Sequence, residues 1–524
     1  MEADKPKKVT IFQTAKRSLQ FFRIGLAAKK LQRTQNEIER LLAKQALVGL
    51  FADARGITMK VGQLFAGNDG STPFQALVEG IEPLPLKTLI PLLETAFGKK
   101  IKSVFRSIEP AIAAASLGQV HLAELKNGDE VAVKIRYPDI SDAVDAELRL
   151  VGLLPGIGPV SRWGFDLDAY KRSLRDNMHR ELDYRSEAQR QDYFGRAVQV
   201  AGLRVPEVYK DLCSEGVLVQ SRAQGVLIDK ISDWSEQDRR SIAQTLMLTL
   251  FKSLFVAGEV HGDPHPGNIF YSHDENGRPL VTLLDYGCTI TIAEQRRLAL
   301  LKLIVGCRER SAIKPLDCFS ALGFDSKKLA PISGSLPALC QILFRPFLVS
   351  HPFSPDQWRL GPAFNDLLGD YRWWFRSAGP SDLFLLMRAF QGLIQQLQQL
   401  DINLPWWPLL QQAVGRELIQ QAMAYELPVI EQEATATALS FDQQASKLCV
   451  CVTDGGEQRV SLAMPAEAAL DLEHLIPENV LERIIRSGKI DLKQLSYSLR
   501  ANGITPQQLF IFNDGSKTYK VWLE

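Results

Sequence analysis

No run of about twenty consecutive apolar residues, the length a membrane-crossing helix needs, occurs in this chain of 524 residues. The nearest approach, Leu329 to Phe344, is broken by Pro331, Gly334 and Pro337. The amino terminus lacks the short apolar core of a secretory signal. A surplus of one charge is missing too. The 61 Lys and Arg face 60 Asp and Glu, a net charge of +1, which argues against nucleic acid as a partner. Cysteine is sparse, scattered and odd in number at seven, which excludes a disulfide framework and points to a reducing compartment. Cys449 and Cys451 alternate onto one strand face. No second pair follows at zinc-ligand spacing, so both read as small buried hydrophobes. The expected location is the cytoplasm, with peripheral attachment to a membrane surface as the alternative.

What remains is an ordinary globular composition, 46% hydrophobic and 23% charged, with length for about three domains. The most informative stretch is His261-Gly262-Asp263-Pro264-His265-Pro266-Gly267-Asn268, followed by Val281-Thr282-Leu283-Leu284-Asp285-Tyr286-Gly287. The first part is too rich in Pro and Gly to be helical. The second is an apolar run of strand length that delivers an acid onto a turn. Either turn alone would pass as an aspartate-capped loop. Together and in this order they match the needs of phosphoryl transfer. Asp263 would orient the attacking group, while Asn268 and Asp285 would hold Mg²⁺ on the phosphates.

Residues 1–35 carry nine Lys and Arg against Glu2 and Asp4. From Thr10 to Leu31 the apolar positions Ile11, Ala15, Leu19, Phe22 and Leu26 share one helical face. Such a helix suits an anionic membrane surface, or packs its stripe on its own domain. A second helical pattern ends at Lys60-Val61-Gly62-Gln63, and Pro85 to Phe97 reads as an amphipathic helix. Residues 111–123 lead through an Asn127-Gly128-Asp129 turn into Glu130-Val131-Ala132-Val133-Lys134-Ile135, a hairpin signal. Val-Ala-Val-Lys matches the kinase strand whose Lys meets the nucleotide phosphates. The loop expected over those phosphates is Ala-rich, and each Ala adds a Cβ that limits close backbone approach. Kinases pair this Lys with a helix-borne Glu, and several acids between Glu181 and Glu187 compete for that role. Val205–Val208 and Val217–Gln220 read as strands, the second running into a hinge at Ser221 to Gly225. A long helix, Trp234 to Ala257, precedes the catalytic loop.

These features, in this order, resemble the UbiB/AarF family of atypical kinases over roughly residues 45 to 300. The resemblance rests on Lys60-Val61-Gly62-Gln63, Ala113-Ala114-Ala115-Ser116, Val131-Ala132-Val133-Lys134, Glu181-x-Asp183 with Glu187, the 261–268 segment, and Asp285-Tyr286-Gly287. It implies a bilobal, protein-kinase-like α+β fold with an N-terminal helical extension, an extended helical C-lobe and a small C-terminal α+β domain. The implied segments are 1–106 for the extension, 107–225 for the N-lobe, 226–432 for the C-lobe, 433–446 for a linker and 447–524 for the last domain. It implies that ATP or ADP with Mg²⁺ is bound by Ala113, Ala114, Ala115, Ser116, Lys134, Gln220 and Arg222. Lys134 would pair with Glu187, leaving Glu181 and Asp183 to meet Lys60 in a regulatory segment, with Gly62 and Gln63, laid across the cleft. Weak or absent protein phosphorylation is implied, with a role supporting isoprenoid-quinone (ubiquinone-type) or other membrane-lipid metabolism. Ser221 stands where many relatives carry an acid, and Tyr286 where Phe is usual.

Two other classes compete with the active kinase or ATPase: a nucleotide-sensing pseudokinase, and a small-molecule phosphotransferase with the same Asp-x-x-x-x-Asn loop. The aromatic clusters Tyr371–Arg376 and Pro405–Pro408 fit helix packing or a membrane-interface belt. The C-terminal domain carries no recognisable chemistry and reads as a regulatory unit for a protein partner.

Overall fold

The computed structural model describes residues 83–114, 117–138, 140, 167–428, 430 and 438–524. The basic segment before residue 35, together with Lys60, Gly62, Gln63, Ala115 and Ser116, lies outside the described residues. Helix α1 (Leu86–Phe97) stops at Gly98, whose φ of 62° is the left-handed conformation that glycine adopts without a Cβ penalty. Its Leu89 and Leu93, one turn apart, are fully buried. They pack on a four-stranded antiparallel sheet of β1 (Phe105–Ala114), β2 (Gly118–Leu125), β3 (Glu130–Arg136) and β4 (Val217–Ser221), in that order.

Strand alternation sorts the two faces of this sheet. Val131, Val133, Ile135, Val217 and Val219 join the core under α1. The opposite face therefore carries Val120, Ala132, Lys134, Leu218 and Gln220, as the register Val120↔Lys134↔Leu218 and Ala132↔Gln220 requires. Ala113 pairs with Val120 and Ala114 with Gln119. The first two alanines of the expected loop thus belong to the end of β1, because nothing between residues 111 and 114 stops the ladder.

Helices α2 (Leu167–Glu181) and α3 (Tyr184–Ala197) meet at Asp183, whose side chain accepts from the Arg185 N–H and caps α3. Val205–Val208 is not the strand its pattern suggests. Pro206 has no N–H to give a ladder; pairing falls instead on Leu203 and Arg204, parallel to Val281 and Thr282, with one bridge from Val208 to Gln220. Helix α4 (Glu236–Phe251) is capped by Ser235. Its continuation, Lys252–Ala257, winds as a π-helix. Gly258 ends it at φ 72°, where a Cβ would lie 3.0 Å from the Ile292 carbonyl oxygen. Two short antiparallel pairs follow. β5 (Glu259–His261) pairs with β8 (Thr289–Thr291), and β6 (Ile269–His273) with β7 (Pro279–Leu283).

Helices α5 (Glu294–Glu309), α6 (Leu383–Leu400) and α7 (Trp406–Ala424) complete the larger lobe around α4. Trp406 is fully buried and meets the rings of Phe347, Trp358 and Phe390 edge-on, so this aromatic cluster is core. The last unit holds β9 (Lys447–Asp454), β10 (Glu457–Pro465), α8 (Glu478–Ser487), α9 (Leu492–Asn502), β11 (Gln507–Asp514) and β12 (Lys517–Leu523). Its antiparallel sheet runs β10-β9-β12-β11. That sheet is its own, but its hydrophobic core is continuous with the helical region between residues 303 and 378. Gly503, at φ 89°, is pressed so closely on Gly334 that a Cβ would sit 2.4 Å from the Gly334 carbonyl oxygen. The two lobes and the cleft between them make a bilobal, protein-kinase-like α+β fold. Among the described residues no helix is long and apolar enough to cross a membrane.

Candidate active site

Lys134 reaches the cleft because β3 alternation turns it away from the α1 core. There its Nζ donates to both carboxylate oxygens of Glu187 on α3, at 2.9 and 3.0 Å, and lies 3.2 Å from Asp285 Oδ1. The Tyr184 ring lies 4.9 Å beneath the ammonium, a favourable cation–π distance. Burial opposes the charge on Lys134, but Asp285 and Glu187 outweigh it and hold the ammonium well above the ordinary lysine range. At Glu187 burial dominates over Lys134 and pushes the carboxyl up to about 7. These two tendencies conflict. Two Nζ–H donations to both oxygens require an ionised carboxylate, so the charged pair is the state this geometry describes.

Asp285 sits at the turn after β7 with φ 61°, left-handed backbone that costs a non-glycine residue energy and clusters at functional sites. Gly287 makes the crowding there possible: a Cβ on it would lie 3.1 Å from Asp285 Oδ1, 3.4 Å from Glu187 Oε2 and 3.7 Å from Glu181 Cγ. Glu181, Glu187 and Asp285 therefore converge on one point. Asp183 takes its place as the α3 cap, and the residues expected to meet it and Glu181 lie outside the described ones.

The 261–268 segment is tied to this turn by backbone. Leu284 N–H donates to the Asn268 carbonyl, and Gly262 N–H to the Cys288 carbonyl, both at 2.8 Å. A side chain at Gly262 would lie 2.8 Å from that same carbonyl oxygen, so only glycine lets the segments meet. Asn268 Nδ2 donates to the Asp263 carbonyl at 3.1 Å, closing the loop between them. The register Ile269↔Leu283 then puts Asn268 and Asp285 at the same end of paired strands.

Three participants were not evident from sequence. His261 donates from Nε2 to the Leu284 carbonyl at 2.9 Å and stands edge-on to the Tyr286 ring. Tyr184 underlies Lys134. Arg388, on α6, donates from Nη2 to Asp263 Oδ1 at 2.8 Å. His261 belongs to a quoted motif and could have been weighed. Arg388 stands in an ordinary amphipathic pattern and gives no signal. Of the two hinge residues, Arg222 turns back to Glu130 on β3, at 3.3 Å. Gln220 shares the cleft face with Lys134, and its Oε1 is buried with no hydrogen-bond donor among the described residues.

The donor chemistry fits a nucleotide with Mg²⁺. Asn268 spends only its amide N–H₂, leaving its oxygen to coordinate, and Asp285, with a side chain 44% exposed, offers a hard anionic oxygen nearby. Magnesium typically takes one or two such protein oxygens and completes its shell with phosphates and water. The orphaned Gln220 oxygen on the cleft face suits an amino donor of a base, and Lys134 suits phosphate.

Residues 76–314 match the model of the ABC1 atypical kinase-like domain. A mitochondrial protein of Caenorhabditis elegans described as atypical kinase coq-8 is 30% identical over 254 residues, covering 46% of this chain and 34% of that protein. The mitochondrial atypical kinase COQ8 of Saccharomyces cerevisiae is 27% identical over 286 residues, covering 53% and 55%. The chain thus spans between a third and just over half of the length of these curated relatives. Among solved structures, the erythromycin complex of Rv3197 from Mycobacterium tuberculosis aligns with a TM-score of 0.49 at 23% identity, over 75% of this chain and 100% of that one. The match of residues 76–314 to the ABC1 atypical kinase-like domain, with similarity to atypical kinases of the COQ8 type, agrees with the resemblance to the UbiB/AarF family of atypical kinases.

Proposed function

We propose that the protein binds ATP or ADP with Mg²⁺ and acts as an atypical kinase or ATPase rather than as a kinase of proteins in trans. The observation that carries this reading is the convergence of Lys134 and Glu187 from one side of the cleft on Asp285, whose turn is tied by backbone to the segment that bears Asp263 and Asn268. Lys134 would bind phosphate oxygens, and Glu187 keeps its ammonium aimed. Asn268 and Asp285 would hold Mg²⁺, which supplies positive charge to the phosphates as charge develops on them. Asp263 would orient the acceptor hydroxyl and take its proton as the acceptor oxygen bonds to the γ-phosphorus and ADP leaves. An alanine at the end of β1 in place of glycine restricts how closely the backbone can approach phosphates, which favours slow turnover. Following the family resemblance, we assign the activity to isoprenoid-quinone (ubiquinone-type) or other membrane-lipid metabolism, at an anionic membrane surface reached by the basic amino-terminal segment.

The test is Mg²⁺-dependent ATP turnover by the full chain, with and without vesicles containing anionic phospholipid, against Asp263→Asn. We expect slow turnover that needs Mg²⁺, rises with vesicles and is lost in the variant, together with little transfer to a generic peptide. Robust peptide phosphorylation that Asp263→Asn abolishes would defeat the exclusion of protein substrates. Turnover equal in the variant and the wild type would defeat the site.

A further inference from the structure

Helix α6 lies beyond the residues matched to the kinase-like domain, yet it sets three positions, one turn apart each, against the 261–268 segment and the strand β6 that follows it. Arg388 holds Asp263. Gly392 lies against Pro264, where a Cβ would come 2.8 Å from the proline Cγ and 3.3 Å from its carbonyl oxygen. Gln396, fully buried, accepts from the Tyr271 hydroxyl at 2.8 Å. Positions separated by four residues share one helical face, so this stripe is a single surface against which the loop and the strand after it are seated. The helix itself is fixed at both ends. Asp382, just before it, pairs with both Nη groups of Arg296 on α5, and the Leu400 carbonyl at its end accepts from Arg239 on α4.

Resting on the phosphoryl-transfer reading above, we propose that Arg388 is a positioning residue: it grips Asp263 by Oδ1 and so presents Oδ2 to the acceptor. Oδ2 has no hydrogen-bond partner among the described residues. Both side chains are mostly buried, 24% and 20% exposed, so the pair is screened far less than a surface ion pair. A carboxylate that must meet an acceptor proton needs a fixed orientation, because a small misplacement of a reacting group costs up to about a hundredfold in rate. Arg388 supplies that orientation from a rigid helix, and the absence of a side chain at Gly392 sets how near the helix comes.

The experiment measures kcat and KM for Mg·ATP on the full chain for wild type, Arg388→Met, Arg388→Lys, Gly392→Ala and Asp263→Asn, with the fold of each checked by circular dichroism. Arg388→Met is expected to lower kcat by about 10- to 100-fold with KM for ATP changed less than about twofold, because Arg388 touches no nucleotide-facing residue. Lys, which keeps a cation within reach, should recover a substantial part of kcat. Gly392→Ala should reproduce the kcat loss by displacing Pro264. If Arg388→Met does not fold, the Lys and Gly392→Ala variants decide the matter by the same split. Unchanged kcat in the folded variants overturns the proposal. So does increased kcat, which would make the ion pair a lock on Asp263. A kcat loss no smaller in Lys than in Met, with KM rising in parallel, would assign Arg388 a structural role only. A wild type without turnover, or one matched by Asp263→Asn, defeats the phosphoryl-transfer reading, and this inference with it.

Discussion

His261 Nε2 lies 2.9 Å from the Leu284 carbonyl oxygen, a single bond that joins the residue two before Asp263 to the residue just before Asp285. The carbonyl can only accept, so the ring carries its proton on Nε2, and Nδ1 is left to accept from the Asp263 N–H at 3.4 Å. One imidazole thereby sets the spacing of both aspartates. His261→Phe keeps a ring against Tyr286 but strands a buried carbonyl, at a cost of about 1–3 kcal/mol. We expect a lower melting temperature and a rise in KM for Mg·ATP together with a fall in kcat. An unaltered KM in the folded variant would show that the two aspartates are spaced by backbone alone.

Asp285 is the anionic half of the proposed magnesium site and also touches Lys134 at 3.2 Å. Asp285→Asn removes the anion from both. Affinity for Mg·ATP should fall at least about tenfold, equivalent to about 1.4 kcal/mol, while nucleotide binding in excess chelator should change far less. Calorimetry with and without Mg²⁺ separates the two. Equal Mg·ATP affinity in variant and wild type would remove Asp285 from the metal site.

The reach of sequence reasoning differs from residue to residue. Strand alternation around Val131-Ala132-Val133-Lys134 already sends the lysine to the face opposite the apolar core, and the Pro- and Gly-rich 261–268 segment already forbids a helix. Those are local constraints, and local patterns express them. The Val205–Val208 strand failed for a reason that was visible, since Pro206 cannot donate to a ladder. The family-type motif puts the alanines at 113 and 114 in a loop, although nothing before residue 115 stops the pairing of β1 with β2. Arg388 is different in kind. It meets Asp263 across 125 positions, and its own neighbourhood is an unremarkable amphipathic helix. The same holds for the C-terminal unit, whose hairpins show in the turns at Gly455-Gly456 and Gly515 while its fusion to the helices near Gly334 depends on packing.

Tyr286 departs from the usual Phe by one hydroxyl. That oxygen is buried with no partner among the described residues, and the ring packs on Phe194 and His261 with centroids 5.2 Å away in each case. Burial also pushes its ionisation far above the ordinary tyrosine value, so the hydroxyl is neutral and desolvated at any working pH. Removing an unsatisfied buried hydroxyl is neutral or favourable. Tyr286→Phe should leave nucleotide affinity unchanged and hold or raise stability by about 1 kcal/mol, read by denaturant unfolding. A clear loss of stability would mean that the hydroxyl has a partner.

The smaller lobe should weaken in acid through His121. Its ring is fully buried in β2, with Nδ1 2.8 Å from the Glu109 carbonyl oxygen and Nε2 2.9 Å from Gln119 Nε2. The carbonyl needs a proton on Nδ1, and the Gln119 amide nitrogen needs an acceptor at Nε2, which defines a neutral ring. Gln119 cannot flip to help, because it already accepts from the Leu84 N–H and donates to the Leu84 carbonyl. Burial therefore holds His121 below its ordinary value of 6.5, against a smaller opposing effect from the Glu109 carbonyl. With the folded value depressed, the unfolded chain binds the extra proton first. The contribution is complete above pH 6.5 and is lost as the pH falls through the folded value. His121→Asn, which cannot titrate, should start less stable but show a shallower decline between pH 7 and about pH 5, the range in which histidine switches. Thermal unfolding across that range checks it, and parallel curves for variant and wild type would place the acid sensitivity elsewhere.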